Sequence, residues 1–241
     1  GHKIFRFDGA NAEDRLGFSV AGAGDVNGDG LDDVLVGSIW SSQNGLPESG
    51  SADLFSGANG QAIYHWDGGS PRDYLGYSVA GAGDVNNDGV PDLLVGVPSA
   101  NPGGVADAGR VFVYSGATGK KIYRLDGTAA YDWLGFSVSA AGDIDGDGYD
   151  DILAGAPLAD PSGIFDAGSA LIYSGQTGAI IFQHDGTTAS ENVGIAVAGN
   201  QDMDRDGTPD LVVGAPGADP GGQPYTGSAI ALSGIDGSQI L

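Results

Sequence analysis

Four tandem units of 59 residues, four short β-rich segments in each, and no window with the 3.6-residue apolar period of a helix together predict an all-β chain. Radial stacking of such units describes a β-propeller of four-stranded antiparallel blades. The repeat is read from landmarks. LGFSV at 16–20 returns as LGYSV at 75–79, LGFSV at 134–138 and VGIAV at 193–197. Acidic loops start at Asp25, Asp84, Asp143 and Asp202 with the same 59-residue step. Gly37, Gly96, Gly155 and Gly214 keep it, as do the Ser-Gly pairs ending at Gly57, Gly116, Gly175 and Gly234. Nothing is inserted or deleted between these landmarks, and no linker interrupts them. One domain over residues 1–241 is therefore expected, with units at 3–60, 61–119, 120–178 and 179–237.

In the second unit the strands are expected near YSVAGAG, DLLVGV, RVFVYSG and KIYRLDG. Each is rich in β-branched or aromatic residues and bounded by Gly, Asn, Asp or Pro. Val111 and Val113 alternate with Phe112 and Tyr114, which suits a sheet with two different faces. SGATGK between the third and fourth strands reads as a tight hairpin turn. A β-helix also uses Gly- and Asp-rich repeats, but its coils are far shorter than these units. The chain opens on a fourth-strand sequence, KIFRFDG, and closes on the start of another, SQIL. The N-terminal strand is expected to complete the last blade, in its own chain or in a neighbour's, because an unpaired edge strand invites association.

The chain carries 9 Lys and Arg against 32 Asp and Glu, a net charge of -23. Such a surface repels phosphate backbones and anionic membranes, so no nucleic-acid partner is expected. No apolar run approaches the ~20 residues of a membrane-spanning helix, and no membrane insertion is expected. Cysteine is absent, which excludes disulfides and thiolate metal sites. The 45 glycines follow no three-residue period, which excludes collagen.

The acidic loops place an oxygen-bearing residue at every second position. Positions 1, 3, 5, 7 and 9 are Asp25, Asn27, Asp29, the Leu31 carbonyl and Asp33 in the first loop. The second has Asp84, Asn86, Asp88, the Val90 carbonyl and Asp92; the third Asp143, Asp145, Asp147, the Tyr149 carbonyl and Asp151. The fourth has Asp202, Asp204, Asp206, the Thr208 carbonyl and Asp210. Alternate residues can turn their oxygens toward one ion while the chain curls round it. Position 6 is always glycine, which permits the sharp turn there. This many hard oxygen donors favours Ca²⁺ over Mg²⁺, and four Ca²⁺ sites per chain are expected. An EF-hand would place a bidentate Glu at position 12, where this chain has Val36, Val95, Ala154 and Val213. A dockerin-type loop would run on into a helix, and DVLVG or DLVVG favours a strand. The ninth-position Asp is expected to close each site at the mouth of the second strand. The ligand Asp residues number 3 + 3 + 4 + 4 = 14, and four Ca²⁺ would take the charge from -23 to -15.

The combination LGFSV…GDVNGDGLDDVLVG, repeated as LGFSV…GDIDGDGYDDILAGAP, resembles FG-GAP repeats, as in the β-propeller of integrin alpha chains. Gly17-Phe18 and Gly135-Phe136 supply the FG; Gly155-Ala156-Pro157 and Gly214-Ala215-Pro216 supply the GAP. The resemblance covers essentially the whole chain. The first unit departs with GSI for GAP, the second with GVP, and the fourth with GIA for GFS; none of these removes a calcium ligand. The resemblance implies a blade whose calcium loop joins strands one and two on the lower face, with ligand binding on the upper face. It also implies seven blades, whereas this chain has four units. It is a fragment, a four-bladed ring, or half of an eight-bladed ring made with another copy of itself; the last is preferred, because four blades would have to curve much more sharply.

No catalytic pattern emerges. His2, His65 and His184 lack partner motifs, and there is no nucleophile elbow, zincin helix or phosphate loop. The chain is expected to be no enzyme. It reads as a secreted or cell-surface, calcium-stabilised interaction or adhesion module, with no signal sequence in this chain. An accessory propeller or catalytic domain of a secreted hydrolase or lyase, and a self-assembling scaffold without ligand, are the alternatives. A protein or glycan ligand is expected on the upper face. Trp40 and Tyr225 are its contact candidates, with Tyr131, Arg15 and Arg72 in the same loops, while Tyr74 and Trp133 are expected to pack between blades.

Overall fold

The computed structural model describes residues 5–222 and 224–240. Fifteen strands among them form four antiparallel sheets, each a meander in chain order. Blade 1 holds β1 (Leu16–Gly24), β2 (Asp33–Ser38), β3 (Ser51–Phe55) and β4 (Ala62–Asp67). Blade 2 holds β5 (Val79–Gly83), β6 (Asp92–Gly96), β7 (Arg110–Tyr114) and β8 (Lys121–Asp126). Blade 3 holds β9 (Ser137–Gly142), β10 (Asp151–Ala156), β11 (Ser169–Tyr173) and β12 (Ile180–Asp185). Blade 4 holds β13 (Val197–Gln201), β14 (Asp210–Ala215) and β15 (Ser228–Leu232). Its outer strand is reduced to a bridge between Leu232 and Gln239, beside an Ile240 amide that donates to the Ala231 carbonyl at 2.9 Å. Blade and repeat are out of phase: the boundary at 60/61 falls in the β3–β4 hairpin.

The core is three apolar layers, one between each pair of successive blades. Leu35 and Leu54 of blade 1 meet Leu75, Leu93, Val95 and Phe112 of blade 2. Leu94, Val111 and Val113 meet Ile152 and Tyr173 in the next layer, and Leu153 and Ile172 meet Leu211 and Val213 in the third. The alternation in β7 is thus resolved. Its valines enter one core and its aromatics the other, so the strand is buried on both faces.

Backbone contact sets the spacing between blades. A Cβ on Gly37, Gly96 or Gly155 would lie 2.0, 2.0 or 1.9 Å from the carbonyl oxygen of Gly76, Gly135 or Gly194 in the following blade. Those carbonyls also accept the hydroxyls of Ser19, Ser78 and Ser137 at 2.7, 2.8 and 2.8 Å. The first strands lie innermost, with Phe18 5.2 Å from Tyr77 and Tyr77 4.9 Å from Phe136 between ring centroids. At the outer rim Trp66 stacks on Tyr114 of the next blade and donates its indole N–H to the Gly119 carbonyl at 2.9 Å.

β1 packs on β5, β5 on β9 and β9 on β13, but no packing of that extent joins β13 back to β1. The four blades form an open arc. Residues 5–9 belong to no ladder. They lie against blade 1, where Phe7 stacks on Phe55 with centroids 4.3 Å apart.

Candidate metal centre

Each acidic loop links the first strand of a blade to the second. Position 6 explains its glycine: Gly30, Gly89, Gly148 and Gly207 have φ of 91°, 87°, 90° and 95°. No atom lies within 4 Å of a Cβ built on Gly30, Gly89 or Gly207, so the requirement there is conformational and not one of space. The loop then holds its own curl through side-chain acceptors. The Asp25 carboxylate accepts the amides of Asp29 at 3.0 Å and Gly30 at 2.8 Å, and Asp29 accepts that of Leu31 at 3.1 Å. Asp84, Asp88, Asp143 and Asp147 repeat the pattern in the second and third loops. The fourth differs in that Asp202 accepts the amide of Arg205 at position 4, at 2.6 Å, while the positive φ at that position is shared by Gly28, Asn87 and Gly146.

The ninth-position residues differ in kind from the others. Asp33, Asp92, Asp151 and Asp210 are at most 1% exposed, whereas positions 3 and 5 are exposed except at the half-buried Asn86 and Asp147. One Asp92 oxygen accepts the amides of Val85 at 3.0 Å and Asn86 at 3.2 Å, and the other that of Gly116 at 2.9 Å. Asp33, Asp151 and Asp210 bond in the same way to Gly57, Gly175 and Gly234, at 3.0, 2.8 and 3.1 Å. These residues were expected to be ligands closing the site. The structure sets them at the start of the second strand and shows one task for them, tying the loop to the hairpin between the third and fourth strands. Carboxylate oxygens have lone pairs enough for this and for a cation.

Burial pushes the carboxyls of Asp92 and Asp151 up to about 6, against the pull of their backbone donors. In the third loop, desolvation followed by the charge of Asp147 raises Asp145; in the fourth, desolvation and the carboxylate of Asp206 raise Asp204. Crowded carboxylates that resist ionisation are what a cation would relieve. Carboxylate oxygens of Asp143, Asp145 and Asp151 lie within 4.8 Å of one another, as do those of Asp202, Asp204 and Asp210. The first two loops carry an amide at position 3, Asn27 or Asn86, and so hold one carboxylate fewer. At position 7 the amides of Leu31, Val90, Tyr149 and Thr208 donate to position 5. Neighbouring loops touch: Asp150 accepts the Asp84 amide at 2.7 Å.

The β2–β3 and interblade loops emerge at the opposite end. Trp40 is covered by the Arg15 guanidinium, 3.2 Å above its ring. Tyr74 gives its hydroxyl to Glu48 at 3.1 Å, and Trp133 stacks on Phe136 at 6.0 Å. Tyr225 and Tyr131 are 76% and 60% exposed. Phe165, 64% exposed, joins them and was missed in sequence; its only sign was a large apolar residue in a polar loop. A cavity of about 320 Å³ opens between blades 2 and 3 over Ala156, Ala159 and Leu171. Between blades 1 and 2 the corresponding space is filled by the larger Val97 and Phe112.

The two described histidines differ in setting. His65 lies between Asp53 at 2.6 Å and Asp67 at 2.9 Å. The bond to Asp53 leads in raising its pKa to about 9, against desolvation, so it stays protonated at neutral pH and cannot serve as a base. Burial lowers the pKa of His184. His2 lies outside the described residues.

The model of the FG-GAP repeat matches residues 75–114, 134–173 and 193–232. The chain is similar to integrin alpha-5 of Xenopus laevis, 33% identical over 221 residues, which is 85% of this chain and 20% of the relative. It is 31% identical to integrin alpha-V of Gallus gallus over 222 residues, 85% of this chain and 20% of that one. Integrin alpha-IIb of Homo sapiens is 34% identical over 232 residues, 88% of this chain and 21% of the relative. The chain spans about a fifth of the length of these curated relatives.

Proposed function

The chain belongs to the FG-GAP repeat family, with integrin alpha chains among its relatives; from that premise we propose that it is a calcium-stabilised propeller segment serving as an extracellular protein-interaction or adhesion module. One observation carries the calcium part. Four loops in one register place side-chain oxygens at positions 1, 3 and 5 ahead of a buried aspartate at position 9, and in the third and fourth the carboxylates of positions 1, 3 and 9 lie within 4.8 Å of one another. Each loop would take one Ca²⁺ through those four side chains and the position-7 carbonyl. The ion would neutralise carboxylates that otherwise repel, and would pin the first strand to the second. Its role is structural, because each donor set comes from one loop of one blade and leaves no shared cleft for chemistry.

The interaction surface is assigned to the other end, where Tyr131, Phe165 and Tyr225 stand exposed on loops held by a rigid scaffold. An extracellular setting suits loops of this kind, since extracellular calcium modules bind at about 10⁻⁴–10⁻³ M. Calorimetric melting with calcium and with a chelator tests the reading. Each site should add about 2.7 kcal/mol at a hundredfold excess of calcium over its Kd. An unchanged melting temperature would remove calcium from the account.

A further inference from the structure

Both ends of the blade arc are finished as blade-to-blade contacts, and we infer that they meet each other in a second copy of this chain, closing a two-chain ring of eight blades. The inference rests on the propeller fold and not on cation binding. Inside the chain, a Cβ on Gly76, Gly135 or Gly194 would lie 2.3–2.4 Å from a carbonyl of the preceding blade, whereas Gly17 in blade 1 has nothing within 4 Å. At the other end, Gly214 is the counterpart of Gly37, Gly96 and Gly155, yet its nearest neighbour is 3.5 Å away, within its own blade. The glycine at position 17 is owed to its φ of 90°, as at its counterparts, but Gly214 has no positive φ, so at that outer face only another blade would require glycine.

Burial agrees. Val20 is 66% exposed, while its counterparts Val79 and Val138 are 8% and 9%. On the far face of blade 4, Ala229 is exposed where Ala52 of blade 1 is fully buried. The exposed parities are opposite, residues 18 and 20 in β1 against 196 and 198 at the start of β13, so the faces are the two halves of one repeated contact and not a self-complementary pair.

The N-terminal segment supplies the third strand of evidence. Phe7 on Phe55 repeats, one unit earlier, the stack of Trp66 on Tyr114. A Cβ on Gly60 would meet the Phe5 ring at 2.9 Å, as one on Gly119 would meet Tyr64 at 2.7 Å. Residues 5–8 thus lie where the outer strand of a preceding blade lies. In the ring that blade is blade 4 of the second copy, where Ser228, Ala229 and Ile230 lack an outer ladder partner among the described residues. In the 59-residue register, Gln239 and Ile240 take the first two positions of this outer strand and residues 5–8 the other four. One internal feature is missing: Ala196 stands where Ser19, Ser78 and Ser137 donate across the contact, so this junction has one hydrogen bond fewer.

Sedimentation of the full chain in calcium across a concentration series tests the ring. The expected species is twice 24.0 kDa, about 48 kDa. Gly214→Ala has room within the chain but would collide with Gly17 of the second copy, and should give a folded monomer that melts cooperatively, with a melting temperature that no longer depends on protein concentration. Val20→Lys, on the opposite and already exposed face, should do the same. Ala196→Ser, restoring the hydroxyl at each of the two junctions of the ring, should lower the dissociation constant about 25-fold. A monomer at every concentration, a dimer that survives both blocking variants, or an open-ended series of larger species would each overturn the ring.

Discussion

Asp92 accepts the Gly116 amide at 2.9 Å, across 24 residues, and so welds the acidic loop of blade 2 to the hairpin at the same end of the sheet. The same carboxylate accepts two loop amides. The fold therefore uses this aspartate whether or not an ion is bound. Asp92→Ala would orphan those donors and should cost roughly 3 kcal/mol in chelator, and more in calcium, where a ligand is lost as well. Asp88→Asn, at an exposed loop position, should leave the chelator-treated protein nearly unchanged and remove only part of the calcium-dependent gain. Equal losses for both variants under both conditions would show that the two aspartates do not divide the work this way.

Two glycines of blade 3 separate strain from collision. Gly148 has φ 90° with only the Asn87 amide nitrogen near a built Cβ, at 3.8 Å. Gly148→Ala should cost about 1–2 kcal/mol, the penalty of the left-handed region. Gly155→Ala would drive a methyl to 1.9 Å from the Gly194 carbonyl and force blades 3 and 4 apart. Its loss should reach about 3 kcal/mol or more. Urea unfolding of both variants checks the order, which must not reverse.

The interblade hydroxyl has a smaller, countable value. Ser78 donates to the Gly135 carbonyl at 2.8 Å from a partly buried position. Ser78→Ala should destabilise by about 1 kcal/mol. The midpoint of urea unfolding measures it, and an unshifted midpoint would deny the bond its value.

The two described histidines should titrate far apart. His65, held between Asp53 and Asp67, has its pKa raised to about 9, and burial lowers that of His184. A raised histidine pKa gives stability that is complete below 6.5 and is lost as pH climbs through about 9. The pair is nearly half exposed, so solvent screening limits its worth to roughly 1 kcal/mol. Imidazole proton resonances followed from pH 5 to 10 should show His184 moving first. Coincident midpoints would refute the assigned environment of His65.

Much of the site could be read from residue spacing. An Asp or Asn at alternate positions with glycine at the sixth declares a curled loop, because only glycine takes φ near 90° freely. The hairpin bonds of Asp33, Asp92, Asp151 and Asp210 were hidden, since their partners lie 24 residues on. Other features were hidden for a different reason. Arg15, Tyr74, Trp133 and Asn192 all adopt φ of 56–59° before the first strand of each blade, a conformation their side chains do not announce. Trp40 looked like a free contact residue, and only the fold brings the Arg15 guanidinium over it.

The sequence by itself determined the blade. A strict 59-residue repeat, strand-length apolar runs and breaker residues at fixed offsets leave little choice of local structure, because turn chemistry and alternation act over a few residues. What only the tertiary structure decided is how blades meet. Gly37 and Gly76, or Ser78 and Gly135, touch because sheets stack face to face, a contact no short-range pattern encodes. The open arc is likewise a product of stacking, since each blade packs on the next through its first strand and the outer sides of the first and fourth blades are left unfilled.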